Sequence, residues 1–334
     1  MGRVRRTAAA LAIAALLAAC REDAPPARPV AAFGGAAPRI DVRPAGKGEI
    51  ASVVAARLTE DGHVVVLDMA PPFVKVFDAR GKLSAAFVGK GDGPREARLP
   101  TALATSGDTA ILVADGNGSL SVYDLRGGLR AHAPPLGVFP LAAASCGGRW
   151  IVYGPALGAP GATPWLREVR LSGDGRAETA RAALSDSVPR DGIGAGIAYG
   201  LTGGGRLSLW HEAGGALYDL GCDDLQPRRV AEVTRLPRPD VRREGDGAVS
   251  RAGPGTRYLA GMAPVTGGYV TAHGIGGTRT ELTLHTAGAT KTVSVEGEFF
   301  LCDAGPAGIL VSTSDPAPRL FVIREVDLLR LFGR

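Results

Sequence analysis

An all-β fold is what this sequence predicts, and three observations predict it. Gly and Pro together supply 72 of 334 residues, far above ordinary usage, so turns are frequent. Long segments of helical period are missing, while short apolar or alternating runs end in Asp, Gly and Asn. Two of these runs also repeat. Gly62-HVVVLD, VKVFD and ARGKL are followed by Asp108-TAILVAD, SVYD and LRGGL. Asp68 and Asp115 lie 47 apart, and Asp78 and Asp124 lie 46 apart. A repeated four-stranded meander of this length is the sequence sign of a β-propeller.

The later units are more divergent. A third holds Arg149-WIVY and Trp165-LREVRL, and a fourth Arg206-LSLWH and Ala216-LYDL. A fifth holds Gly268-YVTAH, Glu281-LTLH and Lys291-TVSV. A sixth holds Phe299-FLCD, Gly308-ILVST and Arg319-LFVIR. Residues 39–334 divided by six leave about 49 per unit, matching the repeat, whereas seven would leave about 42. The prediction is a six-bladed β-propeller of four-stranded antiparallel blades over 39–334. Arg39-IDVRP is expected to supply the outer strand of the last blade, which removes an open edge.

Met1–Ala19 precedes this domain as a signal helix. Arg3, Arg5 and Arg6 form a positive start, and the apolar run Thr7–Ala19 spans about 20 Å as a helix, short of a ~30 Å hydrocarbon core. Without this segment the 38 basic residues fall to 35 against 33 acidic ones, a net +2. So weak a balance removes charge as an argument for nucleic acid, and no nucleic-acid partner is expected. Residues 20–38 hold much Pro and Ala and no period. They read as a tether, and the eighteen after Cys20 reach about 55 Å when extended.

Leu17-Ala18-Ala19-Cys20 resembles the lipobox of bacterial lipoproteins. The resemblance implies cleavage before Cys20 and acylation of its thiol, palmitate included. Acyl chains hold a protein to a membrane by about 0.8 kcal/mol per buried CH2. Arg21 stands where that family's inner-membrane retention signal has Asp, which implies the outer membrane, facing the periplasm, in a cell that has one. Residues 60–130 resemble NHL-type and related six-bladed propeller repeats. The residues carrying this are Val113-Ala-Asp115-Gly-Asn117, Ser121-Val-Tyr-Asp124 and the crossing Gly89-Lys-Gly-Asp-Gly-Pro94, which ends in Glu96.

Cys146, Cys222 and Cys302 remain after Cys20. They read as buried small hydrophobes or as one disulfide with a free thiol left over. No CxxC and no neighbouring His supports a metal or nucleophile there. HExxH, Walker A and GxSxG motifs are absent.

By analogy with propellers, the crossings between blades lie at the pore mouth. That expectation gathers Arg95, Glu96 and Arg98 from one crossing, Arg190 and Asp191 from a second, and Arg243, Glu244 and Asp246 from a third. Arg95 and Arg98 are the candidates for an anionic ligand, because guanidinium forks onto carboxylates. Asp68, Asp115, His211 and His273 fall at second-strand ends and could ligate a divalent metal. A strand-ending Asp is equally suited to bonding backbone in a turn.

Two functions are compatible with these features. One is a membrane-anchored, non-enzymatic scaffold without cofactor, monomeric, binding a peptide, protein or glycan in the cell envelope. The other is a metal-dependent propeller enzyme of lactonase or lyase type. The second is the poorer fit: the chain has one Asn, Asn117, and its His do not share a blade position beyond His211 and His273.

Overall fold

The structure is a computed structural model. It describes residues 33, 38–43, 49–146, 148–154, 157, 165–171, 177–182, 207–211, 216–221, 227–232, 240–244, 247–251, 257–314 and 317–333. The signal segment, Cys20, Arg190, Asp191, Cys222 and Asp246 lie outside them.

Almost every element is a strand. The short β1 (Ile40–Val42) leads into a first meander of β2 (Val53–Leu58), β3 (Val64–Asp68), β4 (Val74–Phe77) and β5 (Leu83–Phe87). The crossing that follows contains β6 (Gly89–Lys90) and β7 (Glu96–Ala97), paired in parallel. The second meander is β8 (Pro100–Ser106), β9 (Ala110–Asp115), β10 (Leu120–Tyr123) and β11 (Leu129–Ala133). The third is β12 (Ala142–Cys146), β13 (Arg149–Gly154), β14 (Trp165–Leu171) and β15 (Ala177–Ala182). A three-stranded sheet follows, of β16 (Leu207–His211), β17 (Ala216–Leu220) and β18 (Pro227–Glu232). Next comes a hairpin of β19 (Asp240–Glu244) and β20 (Gly247–Arg251). Another meander holds β21 (Arg257–Val265), β22 (Gly268–Ile275), β23 (Arg279–Thr286) and β24 (Thr290–Glu296). The last sheet holds β25 (Phe300–Gly305), β26 (Gly308–Thr313) and β27 (Arg319–Ile323), and α1 (Glu325–Arg330) closes the chain.

Alternation explains why runs such as Val64–Leu67 are apolar on every residue. Successive side chains of a strand point to opposite faces. Val64 and Val66 pack toward the last sheet, against Leu310, Leu320 and Val322. Val65 and Leu67 pack toward the second meander, against Leu103, Ile111 and Val113. In β9, Ile111 and Val113 face back while Leu112 and Ala114 join Ala143 and Val152 of the third meander. The first and second meanders are therefore each a layer between two other sheets, and both of their faces are core.

First strands of consecutive meanders also adjoin: β21 with β25, β25 with β2, β2 with β8, and β8 with β12. Gly261 on β21 bridges Leu301 on β25 at φ +115°, and a Cβ there would stand 2.1 Å from the Leu301 carbonyl oxygen, so only glycine fits. The Leu58 N–H donates to Asp303 Oδ2 at 2.9 Å, and Ser145 Oγ to Ser106 Oγ at 2.9 Å. Arg57, on β2, donates to the Cys302 carbonyl at 3.0 Å and to the Ala143 carbonyl at 3.5 Å. Ala143 belongs to a sheet two places along, so the first strands curve around a shared axis. Meanders layered about one axis are the geometry of a β-propeller.

The strand expected from Arg39-IDVRP is β1. It pairs antiparallel with β27 through Ile40↔Val322 and Val42↔Leu320, so the N-terminal strand completes the C-terminal sheet. Arg319 donates to both Asp41 oxygens, at 2.8 and 2.7 Å. Three features differ from the expectations. Arg243 and Glu244 lie in a β-hairpin rather than in an irregular crossing. Helix α1 was not anticipated, being only six residues long; its Asp327 accepts from Arg324 and Arg330. Phe33, within the 20–38 segment, is buried, its ring 5.0 Å from Phe299 and 6.0 Å from Phe321.

Candidate functional site

Asp68 and Asp115 end the second strands of adjacent meanders, and their carboxylates do the same task. Asp68 accepts from the N–H groups of Ala51 and Ser52 at 2.9 and 2.8 Å. Asp115 accepts from the Leu99 N–H at 2.7 Å. Each thereby fixes the residues that enter the first strand of its own sheet. Asp68 is fully buried and also takes an ion pair from buried Lys75. Burial by itself would raise its pKa; the hydrogen bonds from Lys75, Ser52 and Ala51 outweigh that and hold it below the usual carboxylate range. Both oxygens of Asp68 are engaged by backbone and lysine, and one oxygen of Asp115 by backbone. His273 lies on β22 opposite Leu259 and Glu281, buried at 3% exposure, away from either Asp's meander. His211 ends β16, and its side chain lies outside the description. Among the described residues no group of three His, Cys, Asp or Glu could hold a metal ion.

The crossing Gly89–Arg98 separates its own candidates. Glu96 turns back onto its loop, where its Oε2 accepts from the Gly93 N–H at 2.9 Å. A Cβ on residue 91 would stand 2.1 Å from that oxygen, so a side chain there would displace the Glu96 carboxylate. Arg95 donates to the Gly127 carbonyl at 2.9 Å, in the turn between β10 and β11. It staples the crossing to the second meander. Arg98 makes a forked pair with Asp92, both exposed. Val88, which starts the crossing, has φ 68°, a left-handed conformation that costs a β-branched residue about 1–3 kcal/mol. Its carbonyl accepts from the Phe73 N–H at 2.9 Å, tying the crossing to the β3–β4 turn.

Arg98 and Lys90 reach a cleft of ~330 Å3 at this end of the molecule. It is framed by the starts of three first strands: Val54 on β2, Pro100 and Thr101 on β8, and Leu141 before β12. Met69 and Pro71 of the β3–β4 turn form another wall, and Phe139 and Pro140 face them. Four of the seven large hydrophobic residues that the described chain leaves exposed line it: Met69 at 68%, Leu99 at 56%, Val54 at 41% and Leu141 at 39%. A cluster of this kind on a surface marks an interaction site more often than scattered residues do.

Two cysteine expectations are resolved. Cys146 is disulfide-bonded, so the reading of all three as buried thiols is corrected; its partner lies outside the described residues. Cys302 is a free thiol, pushed by burial up to about 11 and 3.2 Å from Ser312 Oγ.

No family model matches the chain, and no curated protein matches it in sequence. Solved structures do. A putative exported protein from Bacteroides fragilis superposes with TM-score 0.52 at 10% identity, over 82% of each chain. The β-propeller domain of Cps50 (Swd1) from Myceliophteria thermophila gives TM-score 0.48 at 12% identity, over 82% of this chain and 96% of that one. Virginiamycin B lyase from Staphylococcus aureus gives 0.47 at 10% identity, over 80% and 79%. At such identity the likeness concerns fold alone.

Sequence reasoning reached the crossing that holds Lys90 and Arg98 but missed Met69, Leu99, Thr101 and Leu141. A signal was present: Met69-Ala-Pro-Pro, Leu99-Pro and Pro140-Leu place bulky apolar residues beside proline in connecting segments, where polar residues are usual.

Proposed function

We propose that this chain is a lipid-anchored, six-bladed β-propeller of the cell envelope, held to the membrane through acylated Cys20. It acts as a non-enzymatic binding module for a partner at the face that carries the cleft. The single observation carrying the binding role is the cleft itself, where Val54, Met69, Leu99 and Leu141 are left in water beside two cations. A monomeric, self-sufficient surface gains nothing from that exposure, whereas a docked partner removes it. The anchor rests on Leu17-Ala18-Ala19-Cys20 after a short apolar run. The blade count rests on the repeat length and on β1 completing the sheet of β25–β27. The metal-enzyme alternative draws no support from Asp68 or Asp115, whose oxygens serve the fold.

Fractionation of cells making the wild type or Cys20→Ser tests the anchor: the wild type sediments with membranes and the variant becomes soluble. Crosslinking in intact cells, followed by capture of the lipidated protein, tests the module. A partner recovered in stoichiometric yield supports it; a protein recovered alone, with turnover of a substrate on added metal, overturns it.

A further inference from the structure

The polar groups of the cleft narrow its occupant, because they are few and unequal. Asp68, at the floor, is satisfied by Lys75 and two backbone N–H groups. Asp92, beside the rim, is held by Arg98. Asp115 is committed to the Leu99 N–H. Lys90 is exposed on β6 and has no acidic partner among the described residues. Thr101, on the wall, buries its Oγ1 without a hydrogen-bond partner among the described residues.

Asp68 and Asp92 are thus paired with Lys75 and Arg98, while the exposed ammonium of Lys90 has no acidic partner among the described residues and is available to a carboxylate. The walls accept bulky apolar side chains. A glycan would bring a row of hydroxyls that these walls cannot pair. At ~330 Å3 the space is at the small end of ligand clefts, enough for a few side chains and not for a folded surface.

Resting on the binding-module reading, we infer that the cleft takes an extended segment of a partner protein in which two bulky apolar side chains adjoin an Asp or Glu. The apolar side chains fill the space between Leu99, Leu141 and Met69. The carboxylate meets Lys90.

Full-length lipidated protein in detergent micelles, panned against a displayed library of random short peptides, tests this. The Leu99→Asp variant serves for counter-selection. The expected enriched motif has two large apolar positions and one acidic position. A synthetic peptide carrying it binds Leu99→Asp about tenfold more weakly than wild type. It binds Lys90→Glu about threefold or more weakly, and replacing its acidic residue by the amide abolishes that difference. Leu99 and Lys90 are exposed, so both variants keep the wild-type melting temperature; Lys90→Ala, which adds no charge, is the second measure. Failure to enrich a motif, a motif without an acid, or equal binding to Leu99→Asp overturns the inference. If the partner crosslinked in cells is captured equally by Leu99→Asp, the cleft assignment falls and the binding-module reading stands.

Discussion

His273 shows how one buried side chain turns composition into pH dependence. It sits on β22 opposite Glu281, with Arg257 and His285 close by. Burial, then the positive charge of Arg257, then His285, lower its pKa to about 4. Above the ordinary imidazole value both folded and unfolded chains are neutral there. Between about pH 6.5 and 4 the unfolded chain takes up a proton that the folded chain refuses, so stability falls as pH falls, by at most about 3 kcal/mol. His285 is lowered by burial as well and adds in the same direction. Asp68, held below the carboxylate range, contributes stability above its unfolded pKa that is lost only under more acidic conditions. Urea unfolding at pH 7 and pH 4.5 is therefore expected to show a marked loss in wild type and a smaller one in His273→Leu. Equal losses would remove His273 as the cause. At this same scale Arg95 and Arg98, three residues apart in sequence, separate completely. One bonds the Gly127 carbonyl and the other reaches the cleft, and nothing in PREAR distinguishes them.

At the level of elements, the repeated second-strand Asp is a device for starting the first strand of each sheet. It works at equivalent places in two meanders, on Ala51 and Ser52 before β2 and on Leu99 before β8. The two are not equal. Asp68 also neutralises a buried lysine, so Asp68→Ala strands a charge and is expected to cost about 3–5 kcal/mol. Asp115→Ala leaves the Leu99 N–H unpaired and is expected to cost about 1–2 kcal/mol. Adding Lys75→Met to Asp68→Ala removes the stranded charge and should recover a large part of the loss. Denaturant midpoints of the three variants check this order; equal losses for the single variants would mean that the Lys75 pair is not what matters. The strands of the first two meanders and of the last two were legible because they carry apolar runs, as in VVVL and ILVA, or alternate, as in TKTVSVE. Helix α1 and the β19–β20 hairpin were not, being short and charged, with EVDLLR and DVRRE offering no clear period.

Over the whole molecule, stability is shared between neighbouring sheets rather than held in one centre. Core clusters lie between the last sheet and the first meander, between the first and second, and between the second and third. A further large cluster joins the sheet of β21–β24 to that of β25–β27, and Phe33 is part of it. Thus the chain's beginning fastens its end twice, through β1 on β27 and through Phe33 against Phe299 and Phe321. Phe33→Ala is expected to cost about 3 kcal/mol in urea unfolding of the full-length protein. A change within error would show that residues up to 38 act as tether throughout. With Phe33 docked, only the residues between it and Cys20 span the gap to the membrane in the proposed anchored state. That is about 40 Å fully extended, not the 55 Å of the whole segment.

The sequence by itself determined the all-β class, the meander repeat and the strand that completes the last sheet. Periodicity and turn residues are local properties, and they survive without knowledge of neighbours. It also held the short apolar run that follows Arg3, Arg5 and Arg6. The tertiary structure alone decided which polar residues are free. Asp68, Asp115, Glu96 and Arg95 look like site residues in a row of letters, yet folding brings each a backbone or lysine partner. The cleft exists only because Met69, Leu99 and Leu141, distant in sequence, meet where three first strands begin. Whether a side chain is spent on the fold or left for a partner depends on contacts across tens of residues, and no local pattern encodes them.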